Sequence, residues 1–153
     1  RSSDLHSTAE ERLTGYYNVL DEYPNIEIVA AQAADWDRSK GMSVTENILQ
    51  SNPGLDFIIS SNDEMAAGAI RAIRANGKMG EIKVVGFDAT KEALEDIKDG
   101  YLFATVESVP DKQAYVSIEA AIDYLDGKEV DSEISVPVTI VDKDNVDEVL
   151  ENR

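Results

Sequence analysis

Apolar positions along this chain follow two rhythms. In residues 7–22, Leu13, Tyr16, Tyr17 and Leu20 recur at the spacing of one helix face, and Ser7 with Glu10 forms a Ser-x-x-Glu capping box ahead of them. Pro24-Asn25 breaks that pattern, and 26–32 then reads as a strand. The loop "AADWD" leads into a helix over about 38–50, which "SNPG" ends. A short buried strand at 57–60 precedes a helix over Asp63–Ala75, with Ala66, Ala69, Ile70 and Ile73 on one face and Asn76-Gly77 closing it. Residues 83–87 form the next strand. Thr90 then caps a short helix to about Lys98, ended by Gly100, and 102–106 is a fourth strand. Pro110 opens a longer helix to Leu125, closed by Gly127; 134–141 is extended, and 145–150 forms a last helical turn. Helix and strand alternate four times, and the strands are continuously apolar. The pattern predicts an α/β fold with a parallel, doubly wound sheet.

Charge narrows the possible partners. The 153 residues hold 31 acidic and 14 basic side chains, a formal net charge of −17. Such a surface repels phosphate backbones and anionic membranes, so no nucleic-acid partner is expected; a well-solvated surface accounts for the charge. Cysteine is absent, which excludes disulfides and thiolate metal sites. No apolar stretch is long enough to span a membrane and no signal peptide is visible. The opening Arg-Ser-Ser-Asp-Leu matches one translated frame of a common sequencing adapter. Residues 1–6 are therefore expected to be a terminus foreign to the native protein, which would make the missing signal peptide a truncation. His6 lies beside that terminus and is assigned no role.

In open parallel sheets, ligands bind beyond the carboxyl ends of the strands. Asp35-Trp36-Asp37-Arg38 follows the first strand, Ser61-Asn62-Asp63 the second, Asp88 the third and Glu107-Ser108 the fourth. All four loops fall on one edge. Each residue there also has a purely structural use. Asn62 and Asp63 both suit a helix cap, Trp36 can pack on its neighbours, and Asp88 can simply precede the cap at Thr90. Arg12 can pair with Glu10 or Glu11, and Arg71 and Arg74 read as solvated. We expect Asp63 to cap its helix and leave Asn62 directed into the crevice. As a set, the residues match the chemistry of a sugar. A carboxylate (Asp88) accepts from two neighbouring hydroxyls, an amide (Asn62) donates and accepts, a guanidinium (Arg12) offers a fork of donors, and an indole (Trp36) gives a flat wall for C–H faces.

Other chemistries fit less well. Neither G-x-G-x-x-G nor G-x-x-x-x-G-K-[ST] occurs, and G-x-S-x-G is absent. A Mg²⁺ site from Asp63, Glu64 and Asp88 would define a receiver-like or phosphatase-like enzyme, but the adjacent acidic pair of a receiver is not laid out here.

The strings "STAEERLTGY", "ADWDRSKGM", "SSNDEMAAGAIRAIRANG", "VVGFDAT", "IKDGYLFATV" and "PVTIVDKDNVDEV" resemble periplasmic sugar-binding proteins of the ribose-binding type, the substrate receptors of ABC importers. The resemblance covers about 7–149, in order. It implies one lobe of a two-lobe type I periplasmic-binding-protein fold, with strand order 2-1-3-4-5 and a first strand lying before Ser7. It assigns 7–108 to the second sugar-binding lobe, 109–139 to a hinge crossing and a helix belonging to the first lobe, and 140–153 to a return into the second.

Carried over residue by residue, Arg12 matches an arginine that reaches sugar oxygens, Trp36 the stacking aromatic, Asn62 the amide at a helix start and Asp88 the carboxylate that grips paired hydroxyls. Ser108 falls where the ribose receptor has glutamine, and Trp36 where it has phenylalanine, which puts ribose itself in doubt. The resemblance implies a pentose or hexose ligand, ABC permease partners, a monomeric intact protein and a periplasmic or cell-surface location. No cofactor, metal or enzymatic activity is expected. The sugar-effector lobe of lactose-repressor-type regulators is the alternative.

Overall fold

The computed structural model describes residues 4–152, with side chains from Thr8 onward. The sequence expectation for residues 1–3 lies outside the described residues. Six helices and four strands appear among the described residues in the order α1 (Asp4–Leu20), α2 (Arg38–Ser51), β1 (Phe57–Ile59), α3 (Asp63–Ala75), β2 (Lys83–Val85), α4 (Lys91–Asp99), β3 (Ala104–Glu107), α5 (Pro110–Leu125), β4 (Thr139–Asp142) and α6 (Val146–Glu151). The sheet order is β1-β2-β3-β4. β1, β2 and β3 are parallel, as expected, and β4 returns antiparallel to β3. Among the described residues, no helix is long and apolar enough to cross a membrane.

The α2–α4 helices start and stop where their sequence signals sit. Asp37, Asn62 and Thr90 are the N-caps, and Gly100 ends α4 in the left-handed conformation at φ 80°. The core lies on one face of the sheet. Leu49 of α2, Ile70 and Ile73 of α3, Leu94 and Ile97 of α4 and Val146 of α6 pack with Val84 and Val141 of the strands. On the opposite face Phe57, Ile59 and Ile140 remain exposed, and the Phe57 ring meets Phe103 edge-on at 6.4 Å. Arg74, expected to be solvated, lies over the Tyr101 ring at 4.4 Å.

Helices α2 and α3 touch backbone to backbone. A Cβ on Gly68 would lie 2.1 Å from the Arg38 carbonyl oxygen and 2.7 Å from the Met42 nitrogen. Alanine improves intrinsic helix propensity by about 1 kcal/mol, but overpacking typically costs about 1–3 kcal/mol, and here the clash is with backbone that can yield only by parting the helices. Gly68→Ala is therefore expected to lower the urea midpoint, read on the far-ultraviolet circular dichroism of the folded protein. An unchanged or raised midpoint would show that the helices separate freely.

Three expectations need correction. Helix α1 runs from Asp4 to Leu20, so Ser7 lies inside it and does not cap it; the preceding residues take up helical backbone and move the start upstream. Residues 26–32 form no strand. Their extended, apolar sequence has no sheet neighbour among the described residues, and an unpaired strand has no hydrogen-bond ladder to hold it. Ile26, Ile28 and Val29 are exposed, and β1 is the edge of the sheet. Of the extended 134–141 segment, only its end joins the sheet, as β4, with Ile134 and Val138 exposed.

Candidate functional site: the carboxyl edge of the sheet

Backbone strain marks one edge. Among the described residues, the non-glycine positions with positive φ are Asp35 (49°), Trp36 (61°), Asp88 (115°), Ala89 (53°) and Val109 (42°). Asp35 and Trp36 precede α2, Asp88 and Ala89 follow β2, and Val109 follows β3. Such conformations cost on the order of 1–3 kcal/mol each and persist where surrounding structure over-determines them.

Arg12 reaches this edge from α1. Its Nη1 donates to the Ser61 carbonyl. Its guanidinium carbon lies 3.7 Å from the Phe87 ring centroid and 5.5 Å from that of Trp36. Stacking on two rings fixes a flexible side chain and leaves N–H groups at the guanidinium edge for further acceptors. The surface pairing with Glu10 or Glu11 is not the arrangement seen. Tyr16 stands one turn along α1, and burial pushes its hydroxyl pKa up against the opposing charge of Arg12.

Asp88 follows Phe87 and is exposed on this edge. Partial burial of its carboxyl raises its pKa, while the Arg12 charge pulls it down. The structure thus places Arg12, Trp36, Asn62 and Asp88 together. Ser108, beyond β3, is half-buried, and its carbonyl accepts from Gln113 Nε2 at 2.5 Å. No direct bond ties the Ser108 side chain to the other four.

Asn62 takes the cap that was expected of Asp63, and Asp63 turns into the protein. Asn62 is the N-cap of α3: its Oδ1 accepts from the Met65 N–H at 2.9 Å, and its Nδ2 donates to the Trp36 carbonyl at 3.4 Å. Asp63 is 4% exposed and turned inward, accepting from Thr105 Oγ1 and from the Thr90 N–H, each at 2.7 Å. Both residue types cap helices; the extended backbone at Asn62 (φ −152°, ψ 168°) gives it the cap and makes Asp63 the first helical residue. Asn62 still reaches the edge, since its amide spans α3 and the Trp36 loop.

Phe87 and Tyr16 were not singled out from sequence as site residues. Phe87 read as the end of a strand, although an aromatic directly before the strand-end Asp88 was the available signal. Tyr16 read as part of an apolar stripe, although it stands four residues from Arg12 and so shares its helix face. Nearby, Arg38 pairs with Glu64 at 2.9 Å and Glu92 at 2.6 Å, joining the first turns of α2, α3 and α4. Those two bonds push the Arg38 pKa up. Among the described residues, no cluster of His, Cys, Asp or Glu is arranged to hold a metal ion.

The comparisons with known proteins point one way. The chain is 43% identical over 134 residues to the ribose import binding protein of Bacillus subtilis, covering 88% of this chain and 43% of that protein. A periplasmic solute-binding protein of an ABC transporter from Actinobacillus succinogenes, solved with bound D-allose, is 36% identical and superposes with a TM-score of 0.85, over 91% of this chain and 49% of that one. The Caulobacter myo-inositol binding protein bound to myo-inositol is 37% identical with a TM-score of 0.83, over 93% and 49%. These relatives are transport binding proteins, and the chain spans less than half the length of the curated relatives it matches first. Its fold is one lobe of the two-lobe type I architecture. Residues 1–129 match the periplasmic binding protein domain, and the chain belongs to that family.

Proposed function

We propose that this chain is the second sugar-facing lobe of a monosaccharide receptor for an ABC importer. The observation that carries the reading is the Arg12 guanidinium held on Phe87 and beside Trp36, with the Asp88 carboxylate next in the chain to Phe87. Fixed donors, a charged acceptor, an indole face and an amide on one strand-end edge are the groups a polyhydroxylated ring engages. Ser108 would border the same edge at the hinge. Binding needs no chemical step: lobes closing on a sugar shift an equilibrium between open and closed forms, so the protein is not an enzyme. The ribose import binding protein and the ABC transporter solute-binding protein named above favour transport over transcriptional regulation.

In this reading, 7–108 is the second lobe, 109–139 the hinge crossing with a helix that packs on the first lobe, and 140–153 the return. The intact receptor is a monomer outside the cytoplasmic membrane, periplasmic or at the cell surface, and hands its pentose or hexose to the permease. Titration calorimetry of the intact receptor with D-ribose, D-allose and myo-inositol tests this; absence of saturable binding to all three would overturn it. Trp36 is the only tryptophan of this chain. Trp36→Ala is expected to weaken binding by about tenfold and to remove most of the ligand-dependent change in fluorescence, given stacking worth about 0.5–1.5 kcal/mol beyond the area it buries. A fluorescence response that survives the substitution would place Trp36 away from the sugar.

A further inference from the structure

The backbone that carries Asp88 is held from beneath by two buried side chains. Residues 87–90 are fastened one after another. The Asp63 N–H donates to the Phe87 carbonyl at 2.8 Å, and the Asp88 N–H donates to the Val106 carbonyl at 2.9 Å. The Ala89 N–H donates to Thr105 Oγ1 at 3.3 Å, and the Thr90 N–H donates to Asp63 Oδ2 at 2.7 Å. Thr105 Oγ1 in turn donates to Asp63 Oδ1 at 2.7 Å. The threonine hydroxyl is thus used as donor and acceptor at once, and the carboxylate accepts on both oxygens. Thr105 is 0% exposed. A Cβ on Gly86 would lie 2.1 Å from Asp63 Oδ1, so the glycine immediately upstream of the loop admits the carboxylate.

The clamp coincides with the strain. Asp88 at φ 115° and Ala89 at 53° occupy backbone regions that side-chain-bearing residues avoid, and these are the residues tied by the network. Neither Asp63 nor Thr105 lies at the exposed edge where Asp88, Arg12 and Trp36 meet. Burial raises the Asp63 pKa, the bonds from Thr105 and Thr90 oppose that rise, and the Asp88 charge adds to it.

We propose that Asp63 and Thr105 are positioning residues for sugar recognition: as a buried pair they clamp 87–90 in its strained conformation and so aim the Asp88 carboxylate at the ligand. The inference rests on the function proposed above and goes beyond it, because neither residue touches the sugar in this arrangement. A chain without the clamp would let the loop relax towards negative φ, and Asp88 would lose the direction that lets one carboxylate accept from two hydroxyls.

The test is a double-mutant cycle on the intact receptor, read by calorimetry with whichever of D-ribose, D-allose and myo-inositol it binds. Thr105→Val keeps the side-chain shape and removes the hydroxyl. It is expected to weaken binding by about tenfold in the parent background and by less than about twofold when Asp88→Ala is already present, because the effect passes through Asp88. Thr105→Ser restores the hydroxyl and is expected to bind within about twofold of the parent. Asp63→Asn, which replaces one accepting oxygen by a donating NH₂ at conserved volume, gives a second cycle with the same expected pattern should Thr105→Val fail to fold. Thermal melts accompany every variant. Parent-like affinity in folded Thr105→Val and folded Asp63→Asn overturns the inference while the loss in Asp88→Ala keeps the proposed function standing. An equal loss with and without Asp88 also overturns it, since that is the signature of general destabilisation. If the parent binds none of the three sugars, the proposed function fails and the inference fails with it.

Discussion

Asp88→Ala in the intact receptor is expected to lower sugar affinity by at least about tenfold while the protein stays folded. A hydrogen bond to a charged group is worth about 1.5–3 kcal/mol, and about 1.4 kcal/mol is a factor of ten in affinity. Loss of a carboxylate that accepts from two hydroxyls therefore exceeds that threshold even when water replaces part of the interaction. The fold has little to lose. Burial already disfavours the charged form of Asp88, and its backbone N–H keeps its bond to Val106. Asp88→Asn separates charge from shape, since it retains one acceptor at nearly the same place, and it should fall between parent and alanine. Calorimetry at fixed pH reads both variants. An alanine variant that binds like the parent would remove Asp88 from the site.

The 153-residue chain made alone is expected to be marginally stable and to associate. Helix α5 buries none of its residues, and Tyr115, Ile118, Ile122 and Leu125 stand 67%, 64%, 52% and 82% exposed. Burying a large apolar side chain is worth about 1.5–3 kcal/mol, so four that are about two-thirds exposed forgo roughly 4–8 kcal/mol. That is comparable with the whole stability of an ordinary domain, about 5–15 kcal/mol. The second weakness is at the sheet. β1 presents an edge, Phe57 and Ile59 are exposed, and 26–32 forms no strand and leaves Ile28 and Val29 exposed. Exposed apolar edges recruit other strands. In the proposed receptor, a strand lying before α1 would fill the place between 26–32 and β1, and the first lobe would cover α5. A urea melt of the isolated chain beside the intact receptor, with sedimentation velocity for its mass, decides the matter. A steep, monomeric transition with a midpoint as high as that of the receptor would show that this lobe is self-sufficient.

Much of the fold was legible because the signals for it are local. Caps at Asn62 or Asp63 and at Thr90, the glycine at Gly100 and the apolar face of Ala66, Ala69, Ile70 and Ile73 act within a turn or two of the chain, and they survive in the structure. The edge that holds Arg12, Trp36, Asn62 and Asp88 was legible for a related reason: once strands alternate with helices in a parallel sheet, every loop after a strand falls on the same side. What sequence left undecided was which of two adjacent capping residues takes the cap. That choice turned on one extended φ,ψ pair and on Thr105, 42 residues away from Asp63, drawing the aspartate inward. Phe87 escaped notice for the same kind of reason, because its role under Arg12 exists only when α1 lies across the end of β2.

The sequence by itself determined the α/β class, the helices from α2 to α5, and the types of side chain gathered at the strand ends, since periodicity, caps and turn residues act over short distances. Only the tertiary structure decided that 26–32 is no strand and that β4 runs antiparallel. It also decided that Asn62 caps while Asp63 is buried beneath Asp88. Each of these depends on partners distant in sequence: a strand exists only beside another strand, and a buried carboxylate only where distant donors meet it.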